Sequence, residues 1–484
     1  MLKRSFPVGF IFLVLVTLSV LVLFGIRGPE GRHPKSAIPR PKEGVPFLYV
    51  ETADSATLSS ILQAAFALDR GGSFGRESLP LIRRILENSC EAAALITLEG
   101  RALQLQLSAR SSRDALYPIT ENSERGESLS PVAGSPAYKV RGGIVLFATA
   151  AERIADMDRA LDDPSLSFKS ATELDRTAPN RLLLSDGGFI SSTGSIEGLP
   201  TTKGALLLSA GWREDSDGGI MEWKIHGLSS ILPPSVLQSL ERANWGTDIS
   251  FPEPLVAALG VNFPTLPEGR FIRENYDGLL EPLVAYRRWI DEIFPGPCVF
   301  SLSGRSKFLV FSLPGFLMEL PGRGTKGMEF VDYLWNKEWK SLVPGVEKLE
   351  GFQSGGTAVI PFSILAAANS DTLRLGLIDR EALKQERFHP IGHYAPGLAN
   401  LDEAISWGYV DLEKFAVAMR TLSMTGRMAG KIGMNIKSGA SSILTVTDLL
   451  EGLGTVALLM TGPGEGMLEW ARPDGTRAGK HGRR

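Results

Sequence analysis

An uncharged, apolar stretch near the N terminus, Ser5 to Ile26, constrains this chain more than any other feature. Its 22 residues are mostly Leu, Val, Ile and Phe. As an α-helix that rises 1.5 Å per residue, the stretch would be about 33 Å long, which matches a hydrocarbon core of about 30 Å. We therefore predict a transmembrane anchor at residues 5–26, with the lipid bilayer as its partner.

A cleaved secretory signal is the main alternative for this stretch. Lys3 and Arg4 would supply its charged end. However, the apolar part is longer than the roughly 7–15 residues of a typical signal core. The sequence Phe24-Gly25-Ile26-Arg27 also lacks the two small residues of a cleavage site. We therefore expect the anchor to remain uncleaved.

The charges that flank the anchor conflict over its orientation, because basic segments stay in the cytoplasm. The N-terminal side carries Lys3 and Arg4. The C-terminal side carries five basic residues, Arg27, Arg32, Lys35, Arg40 and Lys42. This difference favours an orientation with most of the chain in the cytoplasm. However, long domains cross a membrane largely regardless of charge. We expect the bulk outside the cytoplasm, an expectation that also rests on the resemblance described below.

The composition is that of an ordinary globular protein. Hydrophobic residues make up 43% of the chain and charged residues 22%, which allows a sizeable core. A net charge of −3 gives no general attraction to nucleic acid, so we expect no nucleic-acid partner. Cys90 and Cys298 leave two alternatives open: a disulfide formed outside the cytoplasm, or two buried free thiols, which we favour.

Changes in composition and patterning divide the chain into six segments. They are a short N-terminal tail (1–4), the anchor (5–26), a flexible linker (27–44), a first α+β domain (45–250), a second α+β domain (251–472) and a basic disordered tail (473–484). The linker is rich in Pro and Gly, which predicts an extended, mobile spacer between the bilayer and the first domain.

Short strands and helices are predicted in both domains. Leu103, Leu105 and Leu107 alternate with two glutamines, which is typical of a half-buried strand. Residues 151–161 have helical spacing, and Pro233 to Asn262 is predicted as a helical and looping crossover.

A similarity between segments of the two halves indicates that the two domains are repeats. Phe47 to Glu51 and Trp407 to Asp411 are both strand-like, end in an acidic residue and precede an amphipathic helix. Leu375 to Asp379 is a third, weaker case. The predicted fold class is α+β, with antiparallel or mixed sheets, helices packed mainly on one face, two similar tandem halves and one N-terminal transmembrane helix.

Local catalytic and cofactor motifs are incomplete. Gly351-Phe-Gln-Ser354 has the wrong spacing for a nucleophile elbow. The stretch from Gly426 to Lys431 is one residue short of a phosphate-binding loop and is followed by Ile432 rather than a hydroxyl. The glycines from Gly462 to Gly466 do not match a dinucleotide fingerprint. We predict no catalytic residue, no cofactor and no identifiable small-molecule partner.

Metal ligands are also too sparse to predict a site. His389 and His393 are four residues apart, but Pro390 and Gly392 favour a loop over one helical face, so ordinary loop histidines are the preferred interpretation over zinc. The pair Asp215 and Asp217 lacks the other ligands of a calcium loop. Four methionines could hold copper(I), but packing is preferred since no Cys or His accompanies them. These methionines are Met419, Met424, Met428 and Met434.

Four stretches carry a resemblance to a known family. They are Pro46-Phe-Leu-Tyr-Val50, Gly142-Gly-Ile-Val-Leu-Phe-Ala-Thr149 before the helix that reaches Leu161, Phe251-Pro-Glu-Pro-Leu-Val-Ala-Ala-Leu-Gly260, and Tyr409-Val-Asp-Leu412. With the N-terminal anchor, they make the chain resemble a bacterial family of exported proteins classed as a domain of unknown function. The resemblance spans most of residues 45–472. It implies a single-pass protein of the bacterial cytoplasmic (inner) membrane with an extracytoplasmic α+β body, and it supplies no catalytic residues.

The resulting functional prediction is a membrane-anchored extracytoplasmic protein of unknown activity. A non-enzymatic scaffold or interaction protein of the cell envelope is preferred, with an envelope protein as its partner. Two alternatives stay open: a module that binds an apolar ligand or lipid, and an enzyme without a recognisable sequence motif.

Overall fold

The computed structural model divides the chain into two compact units, Met1–Pro233 (unit 1) and Pro234–Arg484 (unit 2). The structure describes residues 37–39, 45–53, 58–59, 62, 75–99, 102–111, 136–168, 178, 180–185, 207–214, 217–226, 243–245, 249–263, 289, 292–308, 311–343, 345–360, 362–431 and 454–472. The predicted anchor, most of the linker and the basic tail lie outside these residues. None of the described helices is long and apolar enough to cross a membrane.

Unit 1 is built on an antiparallel sheet. Its described strands are β1 (Val45–Thr52), β2 (Ser89–Glu99), β3 (Ala102–Ser111), β4 (Ala137–Arg141), β5 (Ile144–Ala148), β6 (Asn180–Ser185), β7 (Leu207–Glu214) and β8 (Gly218–His226). They lie in the order β4-β5-β3-β2-β1-β6-β7-β8. Gly142 and Gly143 both have positive φ and form the two-residue turn of the β4–β5 hairpin, where glycine is favoured because it has no Cβ.

Both faces of the central strands of unit 1, β1, β2 and β3, are buried. On one face, Tyr49, Leu95 and Leu146 pack with Met157 of helix α2 (Arg153–Asp162). Ala37 and Ile38, from the segment predicted as a flexible linker, are buried in the same cluster.

The opposite face includes Ile96, Leu105 and Leu107, each 0% exposed. Helix α1 (Gly75–Glu87) contacts β2 and β3. Its Ile82, Ile85 and Leu86 recur at helical spacing and are buried, as expected for the core-facing stripe of an amphipathic helix.

Unit 2 is a larger antiparallel sheet. Its main strands are β10 (Leu255–Phe263), β11 (Gly296–Phe308), β12 (Phe311–Pro321), β13 (Glu347–Lys348), β14 (Ser354–Ile360), β15 (Phe362–Ala368), β16 (Thr372–Leu377), β18 (Ser406–Asp411), β19 (Thr455–Gly462) and β20 (Glu465–Ala471). They lie in the order β13-β14-β15-β16-β12-β11-β10-β18-β19-β20. β9 (Ser250–Pro252) and β17 (Phe388–Pro390) form a separate antiparallel pair.

Three α-helices are described in unit 2: α3 (Gly324–Tyr333), α4 (Ile391–Tyr394) and α5 (Leu412–Lys431). A π-helical turn, Leu334–Glu338, continues α3. Short 3₁₀ helices cover Pro164–Leu166 in unit 1, and Arg380–Leu383, Gln385–Arg387 and Pro396–Leu398 in unit 2.

Two aromatic clusters hold the core of unit 2. Phe330 and Trp335, from α3 and its π-helical turn, pack on the sheet, and the Trp335 indole donates a hydrogen bond of 2.8 Å to the Ala366 carbonyl. Elsewhere, Trp407 is 0% exposed and meets Trp245 and Phe251 edge-on. A Cβ at Gly260 would lie 2.2 Å from the Trp407 Nε1, so glycine is required there.

The two units share a strand order. If β13 and β14 are set aside, the unit 2 sheet reads β15-β16-β12-β11-β10-β18-β19-β20, which matches unit 1 strand by strand along the sequence. β1 therefore corresponds to β10, and β6 to β18. The predicted equivalence of Phe47–Glu51 with Trp407–Asp411 is wrong, since these segments lie in β1 and β18. The two segments are similar in sequence only because many junctions between a strand and a helix share this pattern.

The predicted fold class is also wrong. Each unit is mostly an antiparallel sheet, and the helices among the described residues are few and do not form a layer over one face. The helical crossover predicted for Pro233 to Asn262 was a second error. Its described part contains the strands β9 and β10. β10 is a strand because it pairs with β11 on one side and with β18 on the other. Tertiary pairing outweighs the helix propensity of its leucine and alanines.

Candidate functional site

One face of the unit 2 sheet is apolar and exposed where four strands run side by side. The strand order here is β16-β12-β11-β10, and the register places apolar side chains in two adjacent rows of four. The first row is Leu377, Phe316, Leu302 and Ala257, and the second is Leu375, Met318, Phe300 and Leu259. We call these eight residues the apolar face of unit 2.

None of the eight side chains is fully buried. Leu259 is 47% exposed, Leu377 41% and Phe316 37%. The Phe300 and Phe316 rings stack with centroids 6.5 Å apart, so the two rows form one continuous surface. Their neighbours on the other face, such as Leu317, are buried. On the near side, Phe300, Met318 and Leu375 of the second row also pack against the core cluster around Phe330. The rest of the two rows forms an exposed apolar patch, and a patch of this kind marks an interaction site.

A groove of about 500 Å³ lies beside this face, between α5 and the ends of the neighbouring strands. Val417 and Thr421 of α5 line one wall, and Val417 is 54% exposed. Pro314 of β12 lines the other wall. Because alternate residues of a strand share a face, Pro314 and Phe316 point the same way. The groove therefore continues the apolar face.

Charged groups stand at the edge of the groove. Lys414 pairs with Asp411 at 2.7 Å, and the Asp411 carboxylate also accepts a hydrogen bond of 2.9 Å from the Lys414 backbone at the start of α5. Arg305 lines the groove and is exposed. Its guanidinium makes no hydrogen bond or ion pair with another described residue. The exposed Glu413 also lines the groove, so the edge carries charges of both signs.

A second, smaller cavity of about 330 Å³ lies elsewhere in unit 2. Arg374 lines it, with its guanidinium over the rings of Phe352 and Phe388 and its Nε 3.0 Å from a Glu319 carboxylate oxygen. Glu350 also lines the cavity. The arginine is neutralised and held on both sides, so it forms a rigid wall rather than a free anion site.

The structure brings His389 and His393 together without making a metal site. Their rings stack with centroids 4.9 Å apart and planes 25° apart. The His389 Nε2 lies 3.3 Å from a Glu253 carboxylate oxygen. Since imidazole lone pairs lie in the ring plane, two parallel rings do not converge on one ion. Across the described residues, no group of three or more His, Cys, Asp or Glu side chains could hold a metal.

Tyr394 completes this surface cluster. Its ring meets His393 edge-on, with centroids 5.3 Å apart. Burial, and then the nearby Glu253 carboxylate, raise the pKa of Tyr394 to about 12, so its hydroxyl stays protonated at neutral pH. The cluster offers no activated nucleophile.

The structure also places most of the other residues that the sequence motifs singled out. The Ser354 hydroxyl donates to the Asp332 carboxylate, which ties β14 to α3. Gly426 to Lys431 is part of α5 rather than a loop, and Gly462 to Gly466 forms the β19–β20 hairpin. Met419, Met424 and Met428 belong to α5, whereas Met434 and Asp215 lie outside the described residues.

Both cysteines are free thiols. Cys90 is exposed and Cys298 is buried. Burial raises the pKa of the Cys298 thiol to about 12, so it is uncharged at neutral pH and acts as a packing residue.

Unit 1 contains a buried ion pair. Glu51 and Arg181 lie opposite each other on β1 and β6, are 1% and 2% exposed, and approach to 3.8 Å. The Tyr49 hydroxyl donates a hydrogen bond of 3.1 Å to Glu51. The guanidinium nitrogens of Arg181 make no hydrogen bond. Because both groups are closed off from solvent, the pair belongs to the core rather than to a binding site.

Sequence reasoning missed the apolar face, although a signal was present. β10 contains Leu255-Val-Ala-Ala-Leu-Gly-Val, and the second half of β12 is apolar apart from Glu319. Strands without alternation need cover on both faces. An uncovered strand of this type exposes apolar side chains, but only the sheet order shows which strands stay uncovered.

Comparison with known proteins adds little to these observations. No protein-family model matches the chain, and no curated protein matches it. A solved structure titled crystal form III of TP0453 is similar over 43% of this chain and 86% of its own, with 14% identity and a TM-score of 0.24. A score this low carries no argument about fold or function. The family resemblance stated above stays a prediction.

Proposed function

We propose that this protein is a membrane-anchored, non-enzymatic interaction protein of the bacterial cell envelope, with its bulk outside the cytoplasm. The apolar face of unit 2 is the surface on which a partner protein docks. The observation that carries this proposal is the exposure of Leu259, Phe316 and Leu377 within four neighbouring strands. Water contact with such a patch is unfavourable by about 25 cal/mol per Å² of apolar surface, and a partner relieves it.

The placement in the proposal rests on the sequence. Ser5 to Ile26 has the length and composition of a spanning helix. The resemblance to an exported family supports an extracytoplasmic body. A tethered protein meets its partners at one membrane surface, which raises their effective concentration and lets a modest patch suffice.

A photo-crosslinking amino acid at Phe316 of the full-length chain tests the proposal in cells. The matched control carries the same amino acid at Arg83 of α1, whose side chain is 70% exposed in unit 1. We expect a defined protein adduct from position 316, recovered in the membrane fraction, and no equivalent adduct from position 83. A Leu259→Lys change should abolish the adduct. Identical adduct patterns from both positions would contradict the proposal.

A lipid-binding module is the second candidate, favoured by the groove beside α5. Its volume of about 500 Å³ is in the range of small-ligand sites, and Val417 and Pro314 give it apolar walls. The same crosslinking experiment separates the two. A lipid adduct from position 316, with no protein adduct, would favour this second function.

A further inference from the structure

The chain is fixed to unit 1 soon after the predicted anchor. Ala37 and Ile38 are 0% exposed and lie in the same core cluster as α2. The Phe168 N–H donates a hydrogen bond of 2.7 Å to the Ile38 carbonyl, and Pro39 forms an antiparallel bridge with Ser167. We call the three residues Ala37, Ile38 and Pro39 the clamp, because they tie the start of unit 1 to the chain that follows α2.

The clamp shortens the tether between the predicted anchor and unit 1. The sequence predicts a flexible linker over residues 27–44, but the chain is already held in the core at Ala37, which leaves the ten residues 27–36 as the tether. Ten residues span at most about 36 Å. A flexible chain of this length has a root-mean-square span of about 17 Å. The clamp therefore stays close to the bilayer that holds the anchor.

The charges of the tether favour the same short distance. It contains three basic residues, Arg27, Arg32 and Lys35, and one acidic residue, Glu30. Anionic lipid head groups attract a basic segment next to a spanning helix. This attraction draws the clamp toward the bilayer surface.

The clamp lies on one face of the unit 1 sheet, so a short tether gives the unit an orientation. The clamp and α2 cover the face that includes Tyr49 and Leu95. α1 contacts β2 and β3 from the opposite face. Packed layers lie about 10 Å apart, so about 20 Å separate α2 from α1 across the sheet. One helix is therefore on the side of the tether and the other is on the far side.

The surface beside the clamp is exposed but has little affinity of its own for anionic lipid. Leu166 is 45% exposed and lies next to the residue that the clamp bridges. Asp162, at the end of α2, pairs with Arg141 at 2.7 Å. Asp163 makes no ion pair with another described residue, and its negative charge disfavours contact with anionic head groups. The tether, rather than this surface, must therefore supply the orientation.

We propose that the clamp holds unit 1 with its α2 face toward the bilayer that contains the anchor and its α1 face away from it. This inference rests on the anchor in the proposed function and adds the surface of unit 1 that faces lipid. The surface around Leu166 lies beside the lipid head groups. A partner that approaches from outside the membrane meets unit 1 at its α1 face.

Quenching by spin-labelled lipid in proteoliposomes tests the inference on the full-length chain. Leu166→Cys and Arg83→Cys carry the same fluorophore in a Cys90→Ser background, since Cys90 is exposed and Cys298 is buried. Arg83 of α1 is the matched control, with a side chain that is 70% exposed. The quencher is a nitroxide on the head group of phosphatidylcholine. Circular dichroism confirms that each variant is folded, and resistance to alkaline carbonate extraction shows that it is anchored.

We expect the fluorophore at position 166 to be quenched at least about twofold more than the one at position 83, because the two positions lie on opposite faces about 20 Å apart. An insertion of about 20 Gly and Ser residues between Gly31 and Arg32 should remove most of this difference, since a longer tether frees the unit to rotate. The insertion leaves the clamp itself unchanged.

Three results would overturn the inference. Two of them are equal quenching at both positions and stronger quenching at position 83. The third is a difference that persists in the insertion variant, since the α2 face would then bind lipid without the tether. Extraction of the chain by alkaline carbonate would instead contradict the anchor, and with it the proposed function.

Discussion

The two units contain the same order of strands, but only unit 1 covers both sides of its central strands β1, β2 and β3. In unit 1, Leu105 and Leu107 of β3 are 0% exposed. In the corresponding strand of unit 2, β12, Phe316 is 37% exposed. A shared topology therefore does not determine whether a sheet face becomes core or surface. What decides is whether another element covers it, and the open copy is the one available for recognition.

The inner faces of the two units differ as well. Where β1 meets β6, unit 1 buries Glu51 opposite Arg181. Where the corresponding strands β10 and β18 meet, unit 2 places Gly260 opposite Trp407. One strand pair carries a buried ion pair, and the other carries a large aromatic ring over a glycine. The same pair of strands thus accommodates two unrelated sets of buried side chains.

Removing one partner of the ion pair should have the largest effect on stability. Glu51→Leu leaves the Arg181 guanidinium buried without its countercharge, and we expect a loss of about 3–5 kcal/mol in the free energy of unfolding. Urea unfolding with hydrogen exchange of the β1 and β6 peptides measures it. The double variant Glu51→Leu/Arg181→Met should recover most of the loss. A loss below about 1 kcal/mol in the single variant would show that solvent reaches the pair.

Matched leucine truncations compare the closed and open faces directly. Leu107→Ala in unit 1 should cost about 2–5 kcal/mol, because it leaves a cavity in a fully packed region. Leu377→Ala in unit 2 should cost no more than about 1 kcal/mol, since its side chain is 41% exposed. Thermal unfolding of both variants checks the difference. Equal costs would mean that the face of unit 2 is covered in the free protein.

Thiol labelling should give the smallest effect, and it compares one cysteine in each unit. Alkylation needs the thiolate, and burial raises the pKa of Cys298 to about 12, so at pH 8 this thiol stays protonated as well as enclosed. We expect the native chain to react at Cys90 alone and both thiols to react in denaturant. Mass spectrometry after labelling counts the adducts, with Cys298→Ser as the control. Rapid labelling of Cys298 in the native chain would contradict this account of the unit 2 core.

The local sequence pattern identified individual strands but not the elements that pack against them. Alternation of Leu103, Leu105 and Leu107 identified β3, and it predicted one polar face. The structure buries Gln106 at 2% exposure, because α2 and the chain near Ile38 cover that side too. For β10 the same local reasoning failed altogether, since an Ala- and Leu-rich run suits a helix until two neighbouring strands pair with it.

By itself, the sequence determined the length and apolarity of the predicted anchor, the position of strands such as β3 and the incompleteness of each catalytic motif. These depend on neighbouring residues or on composition. Tertiary structure alone decided the shared strand order, the burial of Glu51 against Arg181 and the apolar face of unit 2. The last of these joins Leu259 and Leu377, which are far apart in the chain, through the register of four strands. Contacts between distant residues arise from sheet pairing, and no short stretch of sequence encodes which strands will be neighbours or which face will stay open.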